Sequence, residues 1–233
     1  MKGLSSFDFR REYDGFDAPV TEVDCGRLCA AHNPSGKPFC CDICHAVPAV
    51  YRAEWAYLRR STDLWRPWRG DECPQDADDP ARLRAETPTN MVLLACKGPD
   101  ACQRPFRALS CRQFPFVPYI TADDRFIGLT VEWEFEAQCW VISHLEAVTE
   151  TYRREFVRFY DGLFDRAPGE YEAYAAASEA MRAEFTRRRR RIPILHRRGG
   201  TYLLSPRGDR MARVQPQDLP RFGPYRNSTG EEA

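Results

Sequence analysis

A dense group of cysteines near the N-terminus constrains this chain more than any other feature. The segment CGRLCAAHNPSGKPFCCDICH, from Cys25 to His45, holds five cysteines and two histidines. A chain of 233 residues buries a core large enough to fold without covalent cross-links, so stability does not require these thiols. Thiols at this density are typical of a site that binds a metal ion or an iron–sulfur cluster.

Cysteines later in the chain extend the predicted site, and we expect the fold to bring them back to the first group. Adjacent Cys40 and Cys41 would point in opposite directions in an extended segment, whereas a tight turn would direct both inward. The nine candidate ligands are Cys25, Cys29, Cys40, Cys41, Cys44, Cys96, Cys102, Cys111 and Cys139. Two four-cysteine centres with one spare thiol fit this count, and so does one centre with additional structural thiols.

The spacing of the cysteines favours iron–sulfur over zinc. They are spread along the chain, unlike the two close pairs of a zinc ribbon, and aromatic residues around Trp133 and Trp140 would shield a cluster from water. We therefore predict a cysteine-ligated iron–sulfur cluster, most simply 4Fe–4S, in one or two centres with a redox or electron-transfer role. A zinc-stabilised interaction module is the alternative, because four thiolates also suit tetrahedral zinc.

Two arginines, Arg107 and Arg112, flank Cys111 and are candidate cofactor-binding residues. Their positive charge would offset the negative charge of a thiolate-ligated cluster, and surface ion pairing is the competing interpretation.

The sequence Cys41-Asp-Ile-Cys44-His45 also matches the attachment pattern of c-type haem. Haem attachment follows export and the N-terminus has no export signal, so we interpret this match as a coincidence within a cysteine-rich loop.

Composition limits the compartment and the partners. The charged N-terminus and the absence of a long apolar run predict a cytoplasmic protein without a membrane span, in which thiols outnumber disulfides. The formal net charge is +0, so the chain has no general attraction for nucleic acid. We interpret the five arginines at 187–191 as a solvated helix end, and the C-terminal helices are the predicted surface for a protein partner.

The periodicity of apolar residues predicts an α+β fold. We expect a small cysteine-rich metal-binding core with short antiparallel strands or hairpins and flanking helices, followed by a helical C-terminal part. The predicted domains are residues 1–145, 146–206 and a disordered tail at 207–233. In more detail, the patterns predict an irregular segment at 1–24, a helix from about Pro48 to about Arg60, a surface loop at 66–90, hairpins around TADDR and around Gly199 and Gly200, and two helices between those hairpins.

The order of the cysteines resembles that of the YkgJ-type family of cysteine-cluster proteins, which are described as zinc- or iron-chelating domains. In that family a compact group ends in an adjacent pair, two cysteines follow around a strand and turn, a Cys-Arg and Phe-Pro signature comes next, and one cysteine ends the series. The matching residues here are Cys25, Cys29, Cys40, Cys41, Cys96, Cys102, Arg107, Cys111, Arg112, Phe114, Pro115 and Cys139.

The resemblance covers about residues 20–145 and has two departures. The AAHNPSGKP loop separates Cys29 from Cys40, with Cys44 as an additional cysteine, and Ala108 replaces a proline of the signature. The resemblance implies metal chelation and leaves the activity open. A flagellin lysine methylase has a similar cysteine pattern, so methyl transfer to protein lysine is a third hypothesis. The sequence contains no recognisable phosphate loop, nucleophile elbow or paired-carboxylate motif, and we predict no catalytic residue.

Overall fold

The computed structural model describes residues 8–73 and 79–227 and confirms the predicted α+β class. The parts of the predicted irregular segment, loop and tail at 1–7, 74–78 and 228–233 lie outside the described residues. The described chain forms two compact units. We call residues 8–17 and 24–114 the cysteine-rich unit, and residues 18–23 and 115–227 the sheet unit. The change of unit at Phe114 and Pro115 differs from the predicted domain boundary at 145–146.

The described chain contains both helices and strands along its length. The helices are α1 Phe9–Asp14, α2 Cys25–Ala30, α3 Arg52–Ser61, α4 Pro80–Glu86, α5 Leu109–Gln113, α6 Trp140–Ser143, α7 Glu150–Arg166 and α8 Pro168–Arg187. The strands are β1 Ala49–Tyr51, β2 Trp65–Pro67, β3 Met91–Cys96, β4 Phe116–Ile120, β5 Phe126–Val131, β6 Ile192–His196, β7 Thr201–Leu204 and β8 Met211–Val214. None of the helices in the described ranges is both long enough and apolar enough to cross a lipid bilayer.

The cysteine-rich unit is built on a three-stranded antiparallel sheet with the strand order β1-β3-β2. The central strand β3 has the apolar sequence MVLLAC, and its Leu94 and Ala95 are buried. Cys96 is the last residue of β3 and pairs with Trp65 of β2. The apolar strand therefore fixes the position of one candidate ligand.

Helix α1 corrects the prediction of an irregular N-terminal segment. The Asp8 side chain caps the helix by accepting hydrogen bonds from the backbone N–H groups of Arg10 and Arg11. The helix buries Phe9 and Tyr13, which lie four residues apart and therefore on one face. The short length of this apolar pattern explains why periodicity alone did not predict the helix.

Two further elements of the cysteine-rich unit differ from prediction. The helix predicted from about Pro48 begins at Arg52, because residues 49–51 pair with β3 as strand β1. The predicted loop at 66–90 contains helix α4, whose Asp79 accepts a hydrogen bond from Ala81 N–H and whose first residue is Pro80. A cap followed by proline is thus the signal that was missed there.

The sheet unit contains a five-stranded antiparallel sheet in which β4 to β8 follow in sequence order. Both predicted hairpins are confirmed, β4–β5 around residues 121–125 and β6–β7 around Gly199 and Gly200. Helices α7 and α8 confirm the helical C-terminal part, and α7 buries an aromatic face made of Tyr152, Phe156, Phe159 and Tyr160. Strand β8 lies in the segment predicted to be a disordered tail. It is a largely exposed edge strand held by its pairing with β7, and its four residues are too few to show an alternating apolar pattern.

The arginine run at the end of α8 is engaged in contacts within the sheet unit. Arg190 donates two hydrogen bonds of 2.7 Å to the buried carboxylate of Glu136. The guanidinium of Arg188 lies 3.9 Å from the centroid of the Trp133 ring. These contacts stabilise the end of α8 against the segment after β5.

A buried carboxylate, Glu54 of α3, links three elements of the cysteine-rich unit. It accepts hydrogen bonds from the Tyr13 hydroxyl of α1, from Tyr51 N–H at 3.2 Å and from Leu109 N–H of α5 at 2.6 Å. Burial raises the pKa of Glu54 to about 7, although these hydrogen bonds and the nearby charge of Arg112 act in the opposite direction.

Arg112 of α5 reinforces the same packing. Its guanidinium lies 4.0 Å from the centroid of the Tyr13 ring and donates hydrogen bonds to backbone carbonyls of α1 and of residues 104–107. Only 4% of the Arg112 side chain is exposed. Arg112 thus holds backbone segments together. A cofactor-binding role would direct its hydrogen bonds to sulfur, whereas these go to backbone carbonyls.

The raised pKa of Glu54 predicts a specific pH dependence of stability. The folded protein retains a proton that the unfolded chain releases, so this residue's contribution to the free energy of unfolding decreases as pH rises from about 4.5 to about 7. The expected change is about 3 kcal/mol, and Glu54→Gln should abolish it. Urea unfolding of both proteins between pH 4 and 8 measures the difference. Glu86→Gln, at an exposed site of α4, is the charge-matched control, and parallel curves for wild type and Glu54→Gln would contradict the assignment.

Candidate functional site

Helix α2 carries the first two candidate ligands of the cysteine-rich unit. Asp24 accepts a hydrogen bond from Arg27 N–H at 3.2 Å and so caps the helix at Cys25. Cys25 and Cys29 are four residues apart and lie on one helix face. Cys29 is buried, and burial raises the pKa of its thiol. The nearby thiols of Cys25 and Cys41 raise this pKa further.

The adjacent cysteines lie on a tight 3-10 turn, Phe39–Cys41. The turn brings the Sγ atoms of Cys40 and Cys41 to 4.0 Å from each other, so the two side chains do not point in opposite directions as they would in a strand. A hydrogen bond from Cys40 lowers the pKa of Cys41 to about 7 against the effect of burial, and the positive charge of Arg107 contributes. The contact between the two sulfurs and the charge of Arg107 thus favour a thiolate in this turn.

The loop between Cys29 and Cys40, which departs from the resembled family, is ordered by Asp42. The carboxylate of Asp42 accepts hydrogen bonds from Ser35 Oγ at 2.6 Å and from Asn33 Nδ2 at 3.1 Å. Burial opposes ionisation, but these hydrogen bonds lower the pKa of Asp42 overall. The side chain of His45 faces the same carboxylate at 4.0 Å and packs edge-on against Phe39. His45 thus supports the loop.

The later cysteines meet this turn from β3, from a 3-10 turn and from α5. Cys96 Sγ accepts a hydrogen bond from Gly98 N–H at 3.4 Å, and Cys102 Sγ accepts one from Arg107 Nε at 3.2 Å. Cys111 lies on α5. Burial raises the pKa of Cys96 and of Cys111, and neighbouring thiols raise both further.

Arg107 lies among these later thiols. Burial alone would lower its pKa, but the hydrogen bond to Cys102 and the proximity of Cys111 and Cys41 raise it. The charge of Arg107 is thus stabilised by sulfur. Cys111 interacts with Cys41, Cys96 and Cys102, and Arg107 interacts with Cys41, Cys102 and Cys111. We call these four cysteines the thiol cluster: Cys41, Cys96, Cys102 and Cys111.

The remaining candidates fall into two groups. Cys25, Cys29 and Cys40 adjoin the thiol cluster through Cys41. Cys139 is a buried residue of the sheet unit. In the described ranges, no three side chains of His, Cys, Asp or Glu are arranged as ligands of one metal ion. The structure therefore gathers the thiols without giving them the geometry of a bound metal.

Cys44 differs from prediction because it forms a disulfide with Cys73. A disulfide sulfur carries no thiolate, so in this state Cys44 is not available as the predicted ligand. Cys73 lies in the predicted surface loop and was not among the nine candidate ligands. The disulfide also removes one of the two thiols that the haem-attachment pattern requires.

Comparison of the chain with protein-family models, with curated proteins and with solved structures found no match to any of them.

Proposed function

We propose that the cysteine-rich unit binds an iron–sulfur cluster through the thiol cluster and serves a redox or electron-transfer role. The observation that carries this proposal is the proximity of Cys111 to Cys41, Cys96 and Cys102, with Arg107 beside three of the four thiols. Four soft sulfur ligands are the set that iron–sulfur clusters most commonly use.

The residues around the thiol cluster fit such a group. Two sulfurs already accept N–H hydrogen bonds, Cys96 from Gly98 and Cys102 from Arg107, and such bonds tune the potential of a cluster. Burial of Cys111 would limit the access of water. Binding would require the cysteine side chains to rotate about χ1, since staggered rotamers place Sγ at different positions.

A bound cluster would supply one-electron transfer, and the residues of the chain would set its conditions. The guanidinium of Arg107 would offset the negative charge of four thiolates and favour the reduced, more negative state. Glu54 and Arg112 would hold α5, and with it Cys111, in a fixed position relative to α1 and α3.

Zinc remains the second candidate because the same four thiols match a closed tetrahedral site. In that case the metal would be structural, and the unit would serve as an interaction module. The resemblance to the YkgJ-type family favours neither metal, since its members are described as chelating either one.

Metal and acid-labile sulfide content of anaerobically purified protein tests the proposal. We expect about four irons and about four sulfides per chain, with a broad brown absorption. Cys102→Ser and Cys111→Ser should each lose most of the iron, whereas Cys139→Ser, in the sheet unit, should retain it. Zinc without sulfide would refute the cluster and support the structural alternative. Equal loss of metal from all three variants would refute the ligand assignment.

The role of Arg107 gives a separate prediction. Arg107→Gln removes both the positive charge and the Nε–H hydrogen bond to Cys102, so the reduction potential should become more negative. Arg107→Lys restores the charge alone and should have a smaller effect. Arg104→Gln is the control, because the Arg104 side chain contacts Asp17. Protein-film voltammetry measures the potential, and an unchanged value in Arg107→Gln would contradict this role.

A further inference from the structure

A cleft of about 650 Å³ lies in the sheet unit between β5, the end of β6 and α7. Its volume is within the range of small-molecule binding sites. Three arginines, one histidine and three apolar residues line it: Arg125, Phe126, Ile127, Val157, His196, Arg197 and Arg198. No candidate cysteine lines the cleft, so any ligand bound there is independent of the proposed cluster.

A glycine in β5 allows the end of β6 and the basic turn after it to lie close against β5. Gly128 has a φ of +145°, and a Cβ at this position would lie 2.2 Å from the carbonyl oxygen of Leu195. Because no side chain intervenes, Arg197 N–H donates a 2.8 Å hydrogen bond to the carbonyl of Ile127. The segment from His196 to Arg198 is thereby fixed against β5.

Helix α7 supplies a further arginine to the same turn. The guanidinium of Arg153 donates hydrogen bonds to the carbonyls of His196 and Gly200, at 3.1 and 2.9 Å. Arg153 lies one helical turn before Val157, which lines the cleft, so the two residues share a helix face. The buried Nε–H of Arg153 has no hydrogen-bond partner among the described residues, and this leaves an unsatisfied donor beside the turn.

The charges around the cleft are unbalanced. Arg197 forms a 2.7 Å ion pair with Asp161, and the exposed Arg125 forms one of 2.8 Å with Asp123. Arg198 has no carboxylate partner in the part of the chain that the structure describes. Burial lowers the pKa of His196, and the charges of Arg198, Arg197 and Arg153 lower it further. The positive charges around the cleft thus disfavour protonation of His196, which lines it.

We propose that this cleft binds a small organic phosphate, with the phosphate group held by Arg198 and Arg125 and the organic part against Phe126 and Val157. Guanidinium groups form paired, charge-assisted hydrogen bonds with phosphate oxygens, and Arg198 offers a guanidinium that no carboxylate of the described residues neutralises. The ion pair of Arg125 with Asp123 is exposed and therefore weak, so a phosphate can replace the carboxylate. The apolar lining accounts for an organic ligand in preference to phosphate alone.

Calorimetric titration of the full chain with phenyl phosphate tests the proposal. We expect saturable binding with one site per chain, weaker binding of inorganic phosphate and no binding of phenol. Arg198→Gln should weaken the binding of phenyl phosphate roughly tenfold or more, because a charge-assisted hydrogen bond is lost. Arg125→Gln should also weaken binding.

The matched control is Arg210→Gln, at an exposed site of the sheet unit outside the cleft lining. It makes the same change of net charge and should leave the affinity within about twofold. Arg198 is exposed, so its variant should unfold at the wild-type temperature. Equal weakening of phenyl phosphate binding by Arg198→Gln and Arg210→Gln would show that the binding depends on general electrostatic attraction, and would overturn the proposal. Absence of saturable phenyl phosphate binding, or binding of phenol with equal affinity, would overturn it as well.

Discussion

The cysteine-rich unit depends on one buried carboxylate, Glu54. Because it accepts hydrogen bonds from Tyr13 on α1, from Tyr51 and from Leu109 on α5, it fixes α3 relative to two short helices that have few internal hydrogen bonds of their own. Arg112 completes the arrangement through the ring of Tyr13 and the carbonyls of residues 104–107. Helix α5 carries Cys111, and the carbonyls bound by Arg112 precede it. The positions of the later thiols therefore depend on a polar network rather than on the apolar core alone.

Thiols in a buried cluster disfavour one another's ionisation, and the structure offsets this in two ways. Arg107 provides a positive charge beside Cys41, Cys102 and Cys111, and a hydrogen bond joins the sulfurs of Cys40 and Cys41. These two effects lower the pKa of Cys41, while burial raises the pKa of Cys29, Cys96 and Cys111. The same balance would favour the uptake of a cation, since metal binding replaces the protons of the ligands. This electrostatic arrangement is the physical link between the fold and the proposed metal-binding role.

The sheet unit has a different chemistry, which is based on arginine. Arg188 and Arg190 stabilise the end of α8 through Trp133 and Glu136, so the arginine run contributes to packing. The cleft beside β5 differs because Arg198 has no carboxylate partner among the described residues. Arginines of the same segment thus pack against neighbouring side chains at one location and leave a charge without a carboxylate partner at another. Composition alone does not distinguish the two cases, because the difference lies in which carboxylates the fold places beside them.

The sequence by itself determined the α+β class, both hairpins, the long helices α7 and α8, and the choice of the cysteines as candidate ligands. These features follow from local periodicity, from turn residues and from residue chemistry, all of which act over short stretches of chain. Helices α1 and α4 were missed because their caps, Asp8 and Asp79, begin segments too short or too polar for a clear apolar stripe.

Only the tertiary structure decided which cysteines lie together. It gathered Cys41, Cys96 and Cys102 near Cys111, with Arg107 beside three of the four thiols, and it paired Cys44 with Cys73 across 29 residues of sequence. It also separated two neighbouring arginines of the signature, so that Arg107 contacts sulfur and Arg112 contacts backbone carbonyls. Residue type specifies what a side chain can bind, but the partner it meets depends on contacts between distant segments, and those contacts exist only after the chain has folded.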